Sequence, residues 1–272
     1  MTGAFDDWVG REESAEDCIS PRQARQMAAT LEAAGRFGLG DPLPPLWHWM
    51  GWTPEVAMSG LGPDGHPARG GFLPPVPLER RMWAGGRLEF LGPLRIGEVM
   101  LRRSTIRKVV EKTGSTGQMV FVTVAHEVHG QAGLAIREEQ DIVYVAMPAV
   151  FVPPPPVSAP VADWVEPVGT DTARLFRFSA LTFNAHRIHF DLPYATAVEK
   201  YPGLVVHGPL QAMLLIGAGR ARVAAQPASF RFRGVRPAFH TDRLTLQGSG
   251  DDLCTVNGDG QVCMQASIGW AA

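Results

Sequence analysis

Between Phe178 and Arg222 the chain gathers the groups best suited to moving protons. Asn184, His186 and His189 lie within one short segment, and a His207-Gly208-Pro209 step follows it. Histidine titrates near neutral pH, so His189 and His186 are candidates to take a proton or give one. Asn184 can orient a partner through its amide but cannot exchange a proton at ordinary pH. Pro209 suits the first position of a helix, where its missing N–H costs nothing. The residues after it, Leu210 to Ile216, are apolar almost all round, which predicts a buried helix over 209–222. Its first turn exposes N–H groups that can meet developing negative charge, and with Pro209 lacking one, Gly208 is the expected donor.

These groups need a scaffold to bring them together. Phe178-Ser179-Ala180-Leu181 reads as a short apolar run ending in a polar bend, and Gly217, Ala218, Gly219 and Ala221 keep the far end of the helix thin, as a closely packed sheet would require. Upstream, Ser20-Pro21 caps a helix of about four turns with Gly35 as its stop. Residues 38–77 are dense in Pro, Gly and Trp; Trp47, Trp49 and Trp52 favour an ordered lid over disorder. Four strand-like runs follow, Gly86 to Phe90, Val99 to Lys112, Gln118 to His129 and Gly133 to Ala146, divided by turns such as Thr113-Gly114-Ser115. Pro148 to Pro160, with four consecutive prolines, is a semi-rigid extended linker. Strand, Gly/Pro kink, acidic turn and further strands recur in the second half, from Phe230 to Asp242 and beyond. Residues 1–147 and 161–272 therefore read as two related units joined by the linker 148–160.

Composition narrows the functional classes. With 272 residues the chain can bury a real core, and a net charge of −2 without a basic run argues against nucleic acid. The acidic N-terminus lacks a secretory core, and the longest apolar runs are too short to span a bilayer, so a cytoplasmic location is expected. Three cysteines are too few for a disulfide framework; Cys254 and Cys263, set opposite each other by an Asn257-Gly258-Asp259-Gly260 hairpin, are expected to be buried thiols. His126 and His129 are three apart, which on a strand points them to opposite faces. With no third ligand beside His186 and His189, no metal is expected. No phosphate-cradling glycine loop suggests a nucleotide cofactor.

The segment Thr182-Phe183-Asn184-Ala185-His186-Arg187-Ile188-His189, with Tyr194-Ala195 and then His207-Gly208, resembles the hydratase motif of the R-specific enoyl-CoA hydratases, the MaoC-like branch of the hot-dog fold. The His at its end, His189, matches the motif, whereas the family's Asp is Asn184 here and its Asn is His186. Those departures, with Gly70 to Pro77 and Arg80 to Gly86, resemble the double hot-dog subgroup of mesaconyl-C4-CoA and itaconyl-CoA hydratases and mitochondrial-type 3-hydroxyacyl-thioester dehydratases. The resemblance implies an α+β double hot-dog, two antiparallel sheets each wrapping a helix, with the first unit's helix degenerate. It implies a hydro-lyase acting on a short branched or dicarboxylic enoyl-CoA of the mesaconyl-C4-CoA, itaconyl-CoA or methylfumaryl-CoA type. The alternatives are a 3-hydroxyacyl-thioester dehydratase of fatty-acid synthesis and a non-catalytic acyl-CoA-binding protein. Hydration needs a base for water, an acid for the α-carbon and a holder for the thioester oxygen. His189 is the expected base; either His186 supplies the second proton-transfer group or His189 serves both steps. Gly208 and His207 belong to the oxyanion end, and Arg81 and Arg187, with Arg80, are cations suited to a substrate carboxylate or CoA phosphates. No cofactor is expected besides the CoA thioester that is substrate, and a homo-oligomer is left open.

Overall fold

The computed structural model describes residues 4–114 and 117–271, so Ser115 of the expected 113–115 turn lies outside the described residues. Ten strands form one sheet: β1 (Glu12–Cys18), β2 (Arg80–Phe90), β3 (Val99–Gly114), β4 (Gly117–Gly130), β5 (Gly133–Val145), β6 (Trp164–Pro167), β7 (Pro227–Gly234), β8 (Thr245–Ser249), β9 (Asp252–Val256) and β10 (Val262–Trp270). The order is β1-β3-β4-β5-β2-β7-β10-β9-β8-β6, with every neighbouring pair antiparallel. The strands β1–β5 and β6–β10 each form a contiguous run within it. The two runs are continuous with each other. They join edge to edge where Gly85–Glu89 of β2 pairs with Ser229–Arg233 of β7. Gly85 and Gly86 make that seam fit: a Cβ on Gly85 would sit 2.6 Å from the Phe232 carbonyl oxygen, and one on Gly86 3.0 Å from the Phe232 ring.

Three helices accompany the sheet. The first, α1 (Pro21–Leu31), starts as expected, with Ser20 and Gln23 forming a capping box. It stops a turn early, because Glu32 takes the left-handed conformation (φ 56°), so Gly35 is not the stop. The apolar run Phe178-Ser179-Ala180-Leu181 is the last turn of α2 (Thr172–Leu181), capped by Asp171. Its Leu175 and Phe178 are buried, so only a short apolar stretch of the helix shows in the sequence. The third helix, α3 (Gly208–Arg220), begins with Pro209 at its second residue and lies against β7–β10, where Leu210, Ala212, Leu215 and Ile216 enter the core. Gly219 keeps the helix on the sheet: a Cβ there would meet Ile268 Cδ1 at 2.6 Å.

The 257–261 turn is wider than a two-residue hairpin, closed by Asn257 N–H on Gln261 O. Its register sets Cys254 opposite Gln265, not Cys263, which sits in a bulge between Val262 and Met264. Both thiols are free and buried, and burial lifts Cys263 to about 12.

Candidate active site

The hydratase-like segment is irregular backbone between α2 and α3. Phe183 closes α2 in the left-handed region (φ 48°), and Asn184 N–H then donates to Ser179 O (2.8 Å). A non-glycine residue held there stores strain that its surroundings must support. Asn184 Oδ1 accepts the His186 N–H (2.9 Å), an Asx turn that occupies the amide oxygen and leaves the NH2 as its free end. A 3-10 turn, Arg187–His189, brings His186 and His189 together with ring centroids 5.4 Å apart.

Both histidines are buried. His189 Nδ1 donates to Val205 O (2.7 Å), which leaves Nε2 with its lone pair. Its ring stacks on His207 at 3.7 Å. Burial first, and then the neighbouring His207 and His186, push His189 well below the ordinary histidine range, so it is neutral. His207 is fully buried and meets the Ser179 hydroxyl through Nε2 (2.8 Å); burial drives it to about 3, and its Nδ1 has no hydrogen-bond partner. Among the described residues nothing accepts from the N–H of Gly208, where α3 begins.

The first half closes the site, and sequence reasoning missed how. The turn around Gly65 docks on the motif: Arg187 N–H donates to Asp64 O (2.9 Å), and Gly65, at φ +88°, sits directly against the Ala185 carbonyl. It delivers His66, whose ring lies 4.1 Å from that of His186. Asp64 takes His66 Nδ1 at 2.9 Å and the His66 N–H at 3.0 Å, one with each oxygen. Burial lowers His66 to about 4 against the pull of Asp64. Four imidazoles, His66, His186, His189 and His207, therefore run in file, and of the four His66 lines the cleft. On the other side of His186, Glu199 Oε1 lies 3.4 Å from Nε2, and Arg80 Nε holds Glu199 Oε2 at 2.9 Å. Among the described residues, Asp64, His66 and His186 bring ligand atoms within 4.8 Å of one another, a grouping that could hold a metal ion. Their sequence separation hid it; both Asp64 oxygens are already engaged by His66.

A cleft of about 710 Å³ opens between the halves. Asn184, Ser179, Phe178 and Pro209 line it from the second half, and His66, Arg81, Trp83 and Gln140 from the first. Phe176, Phe183, Phe190 and Met58 expose apolar surface on its walls. Of the expected substrate-binding arginines, Arg81 faces this cleft. Arg187 does not line it: its guanidinium is held by Asp191 (2.7 Å) and Pro63 O (3.1 Å) and lies over the Tyr194 ring, where it anchors the docked turn.

Residues 46–240 match the family model of hydroxyacyl-thioester dehydratase type 2. The chain is 47% identical to the mesaconyl-C(4)-CoA hydratase of Chloroflexus aurantiacus over 268 residues, 96% of each protein. It is 29% identical over 232 residues to the mitochondrial hydroxyacyl-thioester dehydratase type 2 of Schizosaccharomyces pombe, covering 75% of this chain and 77% of that one. Among solved structures, a MaoC-like dehydratase superposes with a TM-score of 0.71 at 15% identity, covering 97% of this chain and 98% of that one. A double hot-dog protein of Mycobacterium tuberculosis matches at 0.60 and 12% identity over 98% of both chains. The expected double hot-dog is the fold found, and the chain belongs to the hydroxyacyl-thioester dehydratase type 2 family of hydro-lyases.

Proposed function

We propose that this hydro-lyase adds water across the conjugated double bond of a short, branched, dicarboxylic enoyl-CoA of the mesaconyl-C4-CoA kind, giving a citramalyl-CoA-type product, and removes it in reverse. The observation that carries the reading is His189, a neutral imidazole with Nδ1 committed to Val205 O and Nε2 left as base. Asn184, five residues before it in the same segment, lines a cleft of substrate size. End-to-end similarity to a mesaconyl-C(4)-CoA hydratase supports the substrate class.

In the hydration direction His189 Nε2 takes a proton from water as the oxygen attacks the β-carbon. The electron pair of the double bond moves toward the thioester oxygen, and the developing enolate is met by N–H groups at the start of α3, Gly208 first. His189 then returns that proton to the α-carbon, which restores the thioester and the neutral base. Asn184, its oxygen tied to His186 N–H, offers its NH2 as a neutral donor to water or thioester. Water and enoyl thioester balance the reaction, so no cofactor is required. The free cysteines fit a reducing cytoplasm. The apolar cleft walls also suit the second reading, a 3-hydroxyacyl-thioester dehydratase of fatty-acid synthesis.

A panel of enoyl-CoAs, followed by loss of enoyl-thioester absorbance, tests the substrate class. On the best of them His189→Ala lowers kcat by about 10² or more with the fold intact. Turnover near wild type in that variant would make His189 a structural residue and defeat the assignment.

A further inference from the structure

Three arginines had the chemistry to meet an anion, and the structure separates them. Arg80 is buried and spent on Glu199, and Arg187 is spent on Asp191. Arg81 is the neighbour of Arg80 on β2, and alternation along the strand turns it to the other face. There it lines the cleft, and among the described residues no carboxylate lies within ion-pair distance of its guanidinium. The other side chains lining that cleft include no Asp, Glu, Lys or second Arg. A cation in a partly enclosed, largely apolar space without a counter-charge is costly unless a ligand supplies one.

A second observation points to the same place. Tyr144 pairs directly with Arg81 across β2 and β5, so the two side chains share a face. The Tyr144 hydroxyl is buried beside the Arg81 guanidinium and has no other hydrogen-bond partner. Arg81 also lies near the chemistry, because its charge helps keep His66 neutral and the His66 ring is 4.1 Å from His186. The phosphates of CoA are separated from the reacting carbons by the whole pantetheine arm. An anion beside the histidine file therefore belongs to the acyl group.

We infer that Arg81, with the Tyr144 hydroxyl beside it, is the subsite for a free carboxylate on the acyl group, selecting monothioesters of unsaturated dicarboxylic acids. The inference rests on the hydratase reading and names the residue that sets its substrate class. In mesaconyl-C4-CoA the free carboxylate is attached to the β-carbon, the carbon that receives water. A two-pronged guanidinium–carboxylate contact there both binds the substrate and fixes the face that water attacks.

The test uses succinyl-CoA and butyryl-CoA, saturated thioesters that cannot be hydrated and differ in a terminal carboxylate against a methyl group. Binding is read from the fluorescence of Trp49 and Trp83, both in the cleft wall. The wild type favours succinyl-CoA. Arg81→Gln weakens succinyl-CoA binding by about 30-fold or more and collapses that preference. Arg81→Lys keeps a charge but loses the fork, so it retains an intermediate preference. Should Arg81→Gln fail to fold, Arg81→Lys decides alone by the same ratio. Equal weakening of both ligands would place Arg81 on their shared CoA moiety, and an unchanged preference would leave it without a ligand; either result overturns the inference. Turnover of enoyl-CoAs by the wild type judges the hydratase reading separately.

Discussion

Gly65→Ala tests whether the first half completes the active site. Gly65 adopts φ +88°, where a Cβ costs about 1 kcal/mol or more. That Cβ would also lie 2.9 Å from the Ala185 carbonyl carbon and overlap its oxygen. Carbon–carbon contacts settle at about 3.5–4.0 Å, and the overlapped oxygen asks for more, so the two backbones must part by roughly 1 Å or more. No side-chain rotamer can relieve the clash, because backbone meets backbone. The shift falls on the turn that carries His66 and on the segment that carries Asn184 and His186. A misplacement of about 1 Å can cost on the order of 10² in rate. Gly65→Ala is therefore expected to lower kcat/KM for the best enoyl-CoA by about 10- to 100-fold, read by loss of enoyl-thioester absorbance, with a loss of about 1–3 kcal/mol in urea unfolding. Gly71→Ala is the control in the same lid, since a Cβ there meets nothing within 4 Å and its φ is ordinary. If Gly65→Ala matches Gly71→Ala in both rate and stability, the docking of the two halves has no part in catalysis.

Asn184→Ala is expected to cost about 1–3 kcal/mol of transition-state stabilisation in kcat/KM, whereas Asn184→Asp retains measurable activity; unchanged turnover in Asn184→Ala, on a substrate that His189→Ala cannot process, would remove Asn184 from the chemistry. His126 (about 4), His189 (well below 6.5) and His207 (about 3) are held neutral by burial, so the unfolded chain binds protons that the folded one refuses. Their contribution is present above pH 6.5 and is lost as pH falls, each costing about 2 kcal/mol at pH 5, so the urea midpoint drops between pH 7 and 5; a midpoint that holds steady there contradicts their neutral burial. Gly219→Ala and Gly217→Ala, two residues apart on α3, should move the urea midpoint in opposite directions. At Gly219 the added Cβ meets Ile268 Cδ1 at 2.6 Å and Leu253 Cδ1 at 3.3 Å, an overpacking cost of about 1–3 kcal/mol. At exposed Gly217 nothing lies within 4 Å, and helix propensity yields up to about 1 kcal/mol.

Local chemistry made much of this legible from the sequence alone. The Ser20 capping box, the Pro209 helix start, the long strands and the spacing from Asn184 through His189 to His207-Gly208 are set by residues within a few positions of one another. Such patterns survive in a linear string, and they were enough to indicate the fold and the segment proposed to carry the chemistry. The end of α1 was misread because Glu32 took a left-handed cap that favours glycine, and the end of α2 because its buried face is only a few residues long. Other features exist only across the chain. His66 and Asp64 reach the site from more than a hundred residues away, through a turn whose glycine fits only against one particular carbonyl. Arg80, Arg81 and Arg187 look alike in a string. Strand alternation and the positions of Glu199 and Asp191 decide that two are spent on carboxylates and Arg81 faces the cleft. Burial, too, belongs to the folded chain: a histidine's neutrality is set by the protein packed around it, which no spacing of residues records.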